Sequence, residues 1–141
     1  MSNAPKIRVK AFAVLKRGDQ LLVGLGEDTI KGDKFGRLVG GSVELGEHTN
    51  QTVIREMMEE FGITVKVKRH LGWLENIFTY NGEPGHEVIA VYEVTTDDKD
   101  IFTRDTMPVL DTNDTAAWLS PAEMTAKNMT LYPSGIDHLL G

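Results

Sequence analysis

Residues 41–63 read GSVELGEHTNQTVIREMMEEFGI, and the rest of the chain is best read outward from them. Their second half predicts a helix over Thr49–Phe61, with Thr49 placed as its N-cap and Gly62 where a left-handed glycine ends a helix. On a wheel of about 100° per residue with Glu56 at zero, Glu59 falls near −60° and Glu60 near +40°. Three carboxylates thus share an arc of roughly 100°. Met57, Phe61 and Ile54 fall at roughly 100°, 140° and 160°, so that side is expected to be apolar and to bury against a sheet.

Gathering acids in this way has a cost. Like charges three and four residues apart repel by a few tenths of a kcal/mol per pair, and Arg55, four residues before Glu59, offsets only part of it. A solvated acidic face is the ordinary outcome for two or three such glutamates. The functional alternative is a cation site, because hard Mg²⁺ or Mn²⁺ prefers carboxylate oxygens and keeps exchangeable waters. The preceding loop favours the alternative: Gly40 and Gly41 offer bare backbone for close approach, and Glu44 and Glu47 add acids.

Gly41, five residues, Glu47, seven residues, then Arg55-Glu56-Met57-Met58-Glu59-Glu60-Phe61-Gly62-Ile63 resembles the full Nudix signature, without a gap. The resemblance implies an α/β/α sandwich around a central mixed sheet (α/β or α+β in class) and hydrolysis of a nucleoside diphosphate linked to another moiety. It implies metal ligands at Glu59 and Glu60, with Glu56 a third ligand or the general base. The Gly41 carbonyl would also reach the metal. Glu47 and Arg55 would form an ion pair that orients the loop against the helix, placing Arg55 within the catalytic set. Mg²⁺ is the implied cofactor, with Mn²⁺ able to substitute. Val39 departs from the proline common just before the box, which bears on local loop shape. The stretches 74–80 and 85–88 look like a bacterial subgroup described as MutT-like, and relatives of this kind often form homodimers.

Outside the box, Arg37 is a candidate phosphate contact and Glu87 a candidate substrate-binding residue; Glu87, Glu83 and Glu93 also stay open as the base. Trp73 and Trp118 are candidates for stacking a base, although tryptophans more often fill core or rim positions. Tyr80 lies near where dinucleoside polyphosphate hydrolases carry a tyrosine, and the proline that marks many ADP-ribose hydrolases has no counterpart near Phe78 and Thr79. A nucleoside triphosphate or similar nucleotide is the expected substrate.

Period-two and β-branched patterning predicts strands at 6–16, 20–25, 38–43, 63–68, 72–80, 86–95 and 116–119. Arg17-Gly18-Asp19 and residues 81–85 read as turns, 26–36 as a loop and 96–108 as a long charged loop. Ser120-Pro121-Ala122-Glu123 has capping-box spacing and starts a short helix, and 133–140 reads as a closing helix stopped by Gly141.

At 141 residues, with neither repeat nor linker, the chain is expected to form a single domain over 1–141, residues 1–5 being flexible. No cysteine is present, which excludes disulfides, thiolate ligands and a cysteine nucleophile. It also argues against the isopentenyl diphosphate isomerase that shares the implied fold. A net charge of −6 argues against a nucleic-acid polymer but allows a small phosphorylated ligand bridged by a cation. The apolar run at 11–15 is too short for a membrane span or signal peptide, so no membrane association and a cytoplasmic location are expected. A catalytically silent nucleotide-binding module is the competing functional class; the intact Glu56, Glu59 and Glu60 argue against it.

Overall fold

A computed structural model describes residues 5–140. Of the flexible start expected at 1–5, residues 1–4 lie outside the described residues, as does the helix stop expected at Gly141. In chain order the elements are β1 (Ile7–Val14), β2 (Lys16–Arg17), β3 (Gln20–Asp28), β4 (Asp33–Ser42), α1 (Thr49–Phe61), β5 (Val65–Tyr80), β6 (Glu83–Thr96), β7 (Thr106–Pro108), β8 (Thr115–Leu119), α2 (Pro121–Ala126) and β9 (Met129–Tyr132). The sheet runs β5-β6-β1-β4-β3-β8-β7, with β2 on β3 and β9 on β4. It is mixed, because β1 is parallel to β6 and antiparallel to β4.

The pleat of β1 divides the core. Ala11 and Ala13 join Val39, Val53 and Met57, the last two from α1. Phe12 and Val14 join Val23, Leu38, Met124 of α2 and Ile136. Helical structure therefore covers both faces of a mixed sheet, in line with the sandwich expected from the sequence. No helix among the described residues is long and apolar enough to cross a membrane.

Several local expectations are corrected. Residues 26–36 are not a loop: β3 extends to Asp28 and β4 begins at Asp33, leaving a tight turn between them. The glycines that suggested a loop are accommodated within paired strands, Gly26 opposite Phe35 and Gly36 opposite Leu25. Strands 63–68 and 72–80 are one long β5, bent by register shifts between Val67 and Arg69 and between His70 and Gly72. The turn expected over 81–85 contracts to Asn81 and Gly82, at φ 49° and 82°, as a two-residue hairpin of strands with right-handed twist requires. The charged loop 96–108 contains a 3₁₀ turn, Asp100–Thr103, and β7. The closing helix 133–140 shrinks to a 3₁₀ turn at Ile136–His138, preceded by β9, which pairs with β4 and had no clear sequence signal.

Helix α1 has the expected bounds, but His48 is the N-cap and Thr49 the first helical residue. The His48 N–H donates to Gln51 Oε1 (2.9 Å), and the Thr49 hydroxyl instead meets Tyr92 Oη at 2.5 Å. Gly62 closes the helix at φ 69°, its N–H bonded to the Met58 carbonyl. The buried face is Thr52, Val53, Met57 and Glu60, while Ile54, expected inside, is 39% exposed. The helix is thus turned so that Val53 and Met57 meet the sheet, which carries Glu60 inward and Ile54 out.

Candidate functional site

The site begins where β4 runs into the loop before α1. Arg55, on the first turns of the helix, ties these parts together. Its Nε and Nη2 donate to Glu47 at 2.8 and 3.0 Å, and Nη2 also donates to the Ser42 carbonyl at 3.0 Å. Glu47 in turn accepts from Thr52 Oγ1 (2.7 Å) and from the Glu44 N–H. The Arg55 bonds first, then the Thr52 hydroxyl, hold the Glu47 carboxyl down to about 2, and Glu47 holds Arg55 more firmly protonated. The ion pair implied by the resemblance is therefore present, and it fixes the loop against the helix.

Arg55 also donates to Glu56 (3.0 Å) and Glu59 (3.2 Å), offsetting their mutual repulsion. Glu56 lies against Gly41. A Cβ on Gly41 would stand 2.5 Å from the Glu56 carboxylate carbon, so the missing side chain makes the space that the carboxylate occupies. Burial raises the Glu56 carboxyl above its ordinary range, against the pull of Arg55.

Carboxylate oxygens of Glu56, Glu59 and Asp111 lie within 4.8 Å of one another. Asp111 was not singled out from sequence. It sits in the loop between β7 and β8, brought to the helix end by a bond from the Leu110 N–H to the Glu60 carbonyl (2.7 Å). A lone aspartate in a polar turn carries no spacing that links it to a helix some fifty residues earlier; only the folded loop makes the connection. This donor set is entirely hard oxygen, and the bare backbone at Gly41 leaves room beside it. It fits Mg²⁺ or Mn²⁺ and not a soft metal.

Glu60, expected beside Glu59 as a ligand, stands apart from this trio. It is 9% exposed and lines a cavity of about 320 Å³ together with Arg37. Burial, then the charges of Glu56 and Asp111, push its carboxyl up to about 8, against Arg37 and a backbone hydrogen bond from Gly40. The cavity extends from there between two hairpins, β3–β4 and β5–β6, to Phe35, Phe78, Tyr80 and Tyr132. The hairpin tips are joined over it. Asp28 accepts the Ile30 and Lys31 N–H groups on its own turn and the Asn81 N–H of the other at 3.0 Å.

The remaining sequence candidates separate cleanly. Arg37 and Glu87 both line the cavity, Arg37 with its guanidinium 5.3 Å from the Phe12 ring centre. Tyr80 lines it too, edge-on to Phe35. Glu93 is taken by Arg69 at 2.8 Å, and Glu83 is exposed at the start of β6; neither reaches the cavity. Trp118 is core: it is 3% exposed, its Nε1–H donates to the Ile101 carbonyl, and its ring stacks on Phe102. Trp73 is half-exposed and does not line the cavity. Neither tryptophan can stack a ligand there.

The family model described as the NUDIX domain matches residues 6–138. Among solved structures, the chain resembles a NUDIX hydrolase from Nitrosomonas europaea (24% identity, 96% of this chain and 86% of that one, TM-score 0.60). It also resembles the MutT protein from Methanosarcina mazei (17%, 98% and 93%, TM-score 0.63) and a MutT NUDIX hydrolase from Burkholderia pseudomallei (23%, 86% and 95%, TM-score 0.56). At these identities the structural likeness establishes the fold.

Proposed function

The chain belongs to the Nudix family, and from that premise we propose that it hydrolyses a diphosphate linkage in a nucleoside diphosphate derivative, a nucleoside triphosphate in the first instance, using Mg²⁺ or Mn²⁺. The observation that carries this reading is the junction of two parts: the carboxylate trio Glu56, Glu59 and Asp111, and the cavity that opens beside it past Glu60 and Arg37.

Each residue has a derivable task. Glu56, Glu59 and Asp111 would hold the divalent ion, with the Gly41 carbonyl beside them, and Glu60 borders the same space. When bound, the ion supplies neutralisation of phosphate charge and acidification of an attacking water. Arg37 offers a cation to phosphate oxygens at the cavity mouth. Glu56, a ligand or the base in the sequence reading, and Glu60 are the candidates to accept the proton as water attacks phosphorus. Burial makes each more basic than an exposed glutamate. Arg55 and Glu47 position the loop and helix without meeting the substrate. The hairpins beyond Arg37 exclude water from the bound nucleotide.

Prolonged EDTA treatment is expected to abolish turnover, and added Mg²⁺ or Mn²⁺ to restore it. A panel of nucleoside triphosphates, dinucleoside polyphosphates, nucleotide sugars, ADP-ribose and NADH, with products resolved by chromatography, identifies the substrate and the phosphorus attacked. Undiminished hydrolysis after complete removal of metal would overturn the metal-dependent reading. Calorimetry beside phosphate release separates hydrolysis from silent binding. Asp111→Asn is expected to weaken Mg²⁺ binding by about 10-fold or more in a titration followed by activity. An unchanged Mg²⁺ requirement would remove Asp111 from the site.

A further inference from the structure

Asn76 and Glu87 stand directly opposite each other on β5 and β6 and both line the cavity. Opposed residues of an antiparallel pair project on the same side with Cβ atoms about 5 Å apart, close enough to meet neighbouring atoms of one ligand. Both are more than nine-tenths buried, at 7% and 8% exposure. A buried amide is ordinarily hydrogen-bonded, yet no described group bonds to the Asn76 side chain, and among the described residues no buried side-chain atom is sealed off without a partner. The Asn76 amide is therefore open to the cavity. The nearest cation to Glu87 is Lys10 Nζ, at 3.9 Å, too long for a hydrogen bond.

The far wall favours a flat ring. Phe35 packs edge-on against Tyr80 and Tyr132, at 5.7 and 5.5 Å between ring centres, and Phe78 completes this apolar end. From these placements we infer that the Asn76–Glu87 pair reads the edge of the substrate's base and selects guanine. The inference rests on the nucleotide reading above and adds to it the base. An amide presents one N–H donor group and one acceptor; an ionised carboxylate presents two acceptors only. With the amide donating, the complementary edge reads acceptor, donor, donor. Guanine has that order in O6, N1–H and the 2-amino group. Adenine reads donor then acceptor, cytosine donor, acceptor, acceptor, and uracil acceptor, donor, acceptor. Each of these leaves a carboxylate oxygen facing a lone pair or nothing, a buried acceptor without a donor.

The test is calorimetric binding of GMP, IMP, AMP, CMP and UMP to the intact protein, beside the hydrolysis panel. GMP is expected to bind tightest. IMP, which lacks only the 2-amino group, is expected to bind about 10-fold more weakly, the scale of one hydrogen bond to a charged group. Asn76→Asp, which removes the donor for O6, is expected to erase most of the preference for GMP over AMP. The comparison of GMP with IMP uses the unaltered protein, so it stands even if that variant does not fold. Equal affinities for GMP and IMP, or a preference for UMP, overturn guanine selection. The two readings fail separately: hydrolysis without guanine preference sinks only the base assignment, whereas guanine-selective binding with no hydrolysis of any substrate sinks only the catalytic one.

Discussion

Glu60→Gln is expected to lower turnover by roughly 10²-fold or more while making the metal-free protein more stable, not less. The loss follows from removing a carboxylate at the junction of the proposed metal site and the cavity. The gain follows from burial. In the folded protein the Glu60 carboxyl is pushed up to about 8 from the ordinary 4.5, chiefly by desolvation, then by Glu56 and Asp111. A group whose folded-state pKa is raised binds its proton more tightly when folded. Its contribution to stability is complete below the ordinary value and is lost as pH rises through the folded one. The metal-free protein should therefore melt at progressively lower temperature between those limits, and divalent metal should reverse the decline. Glutamine carries no proton to lose, so the variant should melt above the parent at the alkaline end of that window. Thermal melts with and without Mg²⁺, run beside turnover, check both halves. A variant with near-normal turnover on the best substrate would contradict the catalytic assignment. One that melts no higher at the alkaline end would contradict the electrostatic one.

Gly41→Ala is expected to reduce turnover by about 10- to 100-fold while shifting the melting temperature little. The added Cβ would meet the Glu56 carboxylate carbon and Oε1, both at 2.5 Å, so that carboxylate has to move. The clash is with the far end of a flexible side chain, not with backbone, and the fold can absorb it. The catalytic arrangement cannot, because a displacement of about 1 Å at a reacting centre costs on the order of 10²-fold. The Mg²⁺ requirement should rise in the same variant, because one of the trio's three carboxylates is displaced. A large loss of stability with normal specific activity of the folded fraction would place the role of Gly41 in the fold instead of the site.

Both expectations concern a helix that was legible in the sequence and a rotation of it that was not. Bounds, amphipathicity and the left-handed stop at Gly62 follow from interactions within four residues. Local sequence therefore reached them; the Glu47–Arg55 pair, whose partners lie on one short loop and the helix it leads into, was implied by the family resemblance. The placement of Ile54 and Glu60 depends instead on which residues β1 and β4 present to the helix. Ile54 is the more apolar, but Val53 and Met57 fit that surface, and Glu60 is carried inward with them. The hairpin at Asp28–Asp33 was obscured for a related reason. Glycine disfavours a strand by local propensity, yet here pairing with the neighbouring strand holds Gly26 and Gly36 extended.

The chemistry that operates over short range is therefore legible in the residues themselves: an acid-bearing helix, a glycine loop before it, and strands of alternating pattern around them. The tertiary structure alone decided which atoms meet. It brought Asp111 to Glu56 and Glu59, set Glu60 apart beside Arg37, and laid the β3–β4 hairpin against the β5–β6 hairpin that carries Asn76 and Glu87, with the cavity between them. These juxtapositions come from closing long segments of chain against one another. Their free energy lies in the packing of the whole sheet, and the residues brought together carry no local record of it.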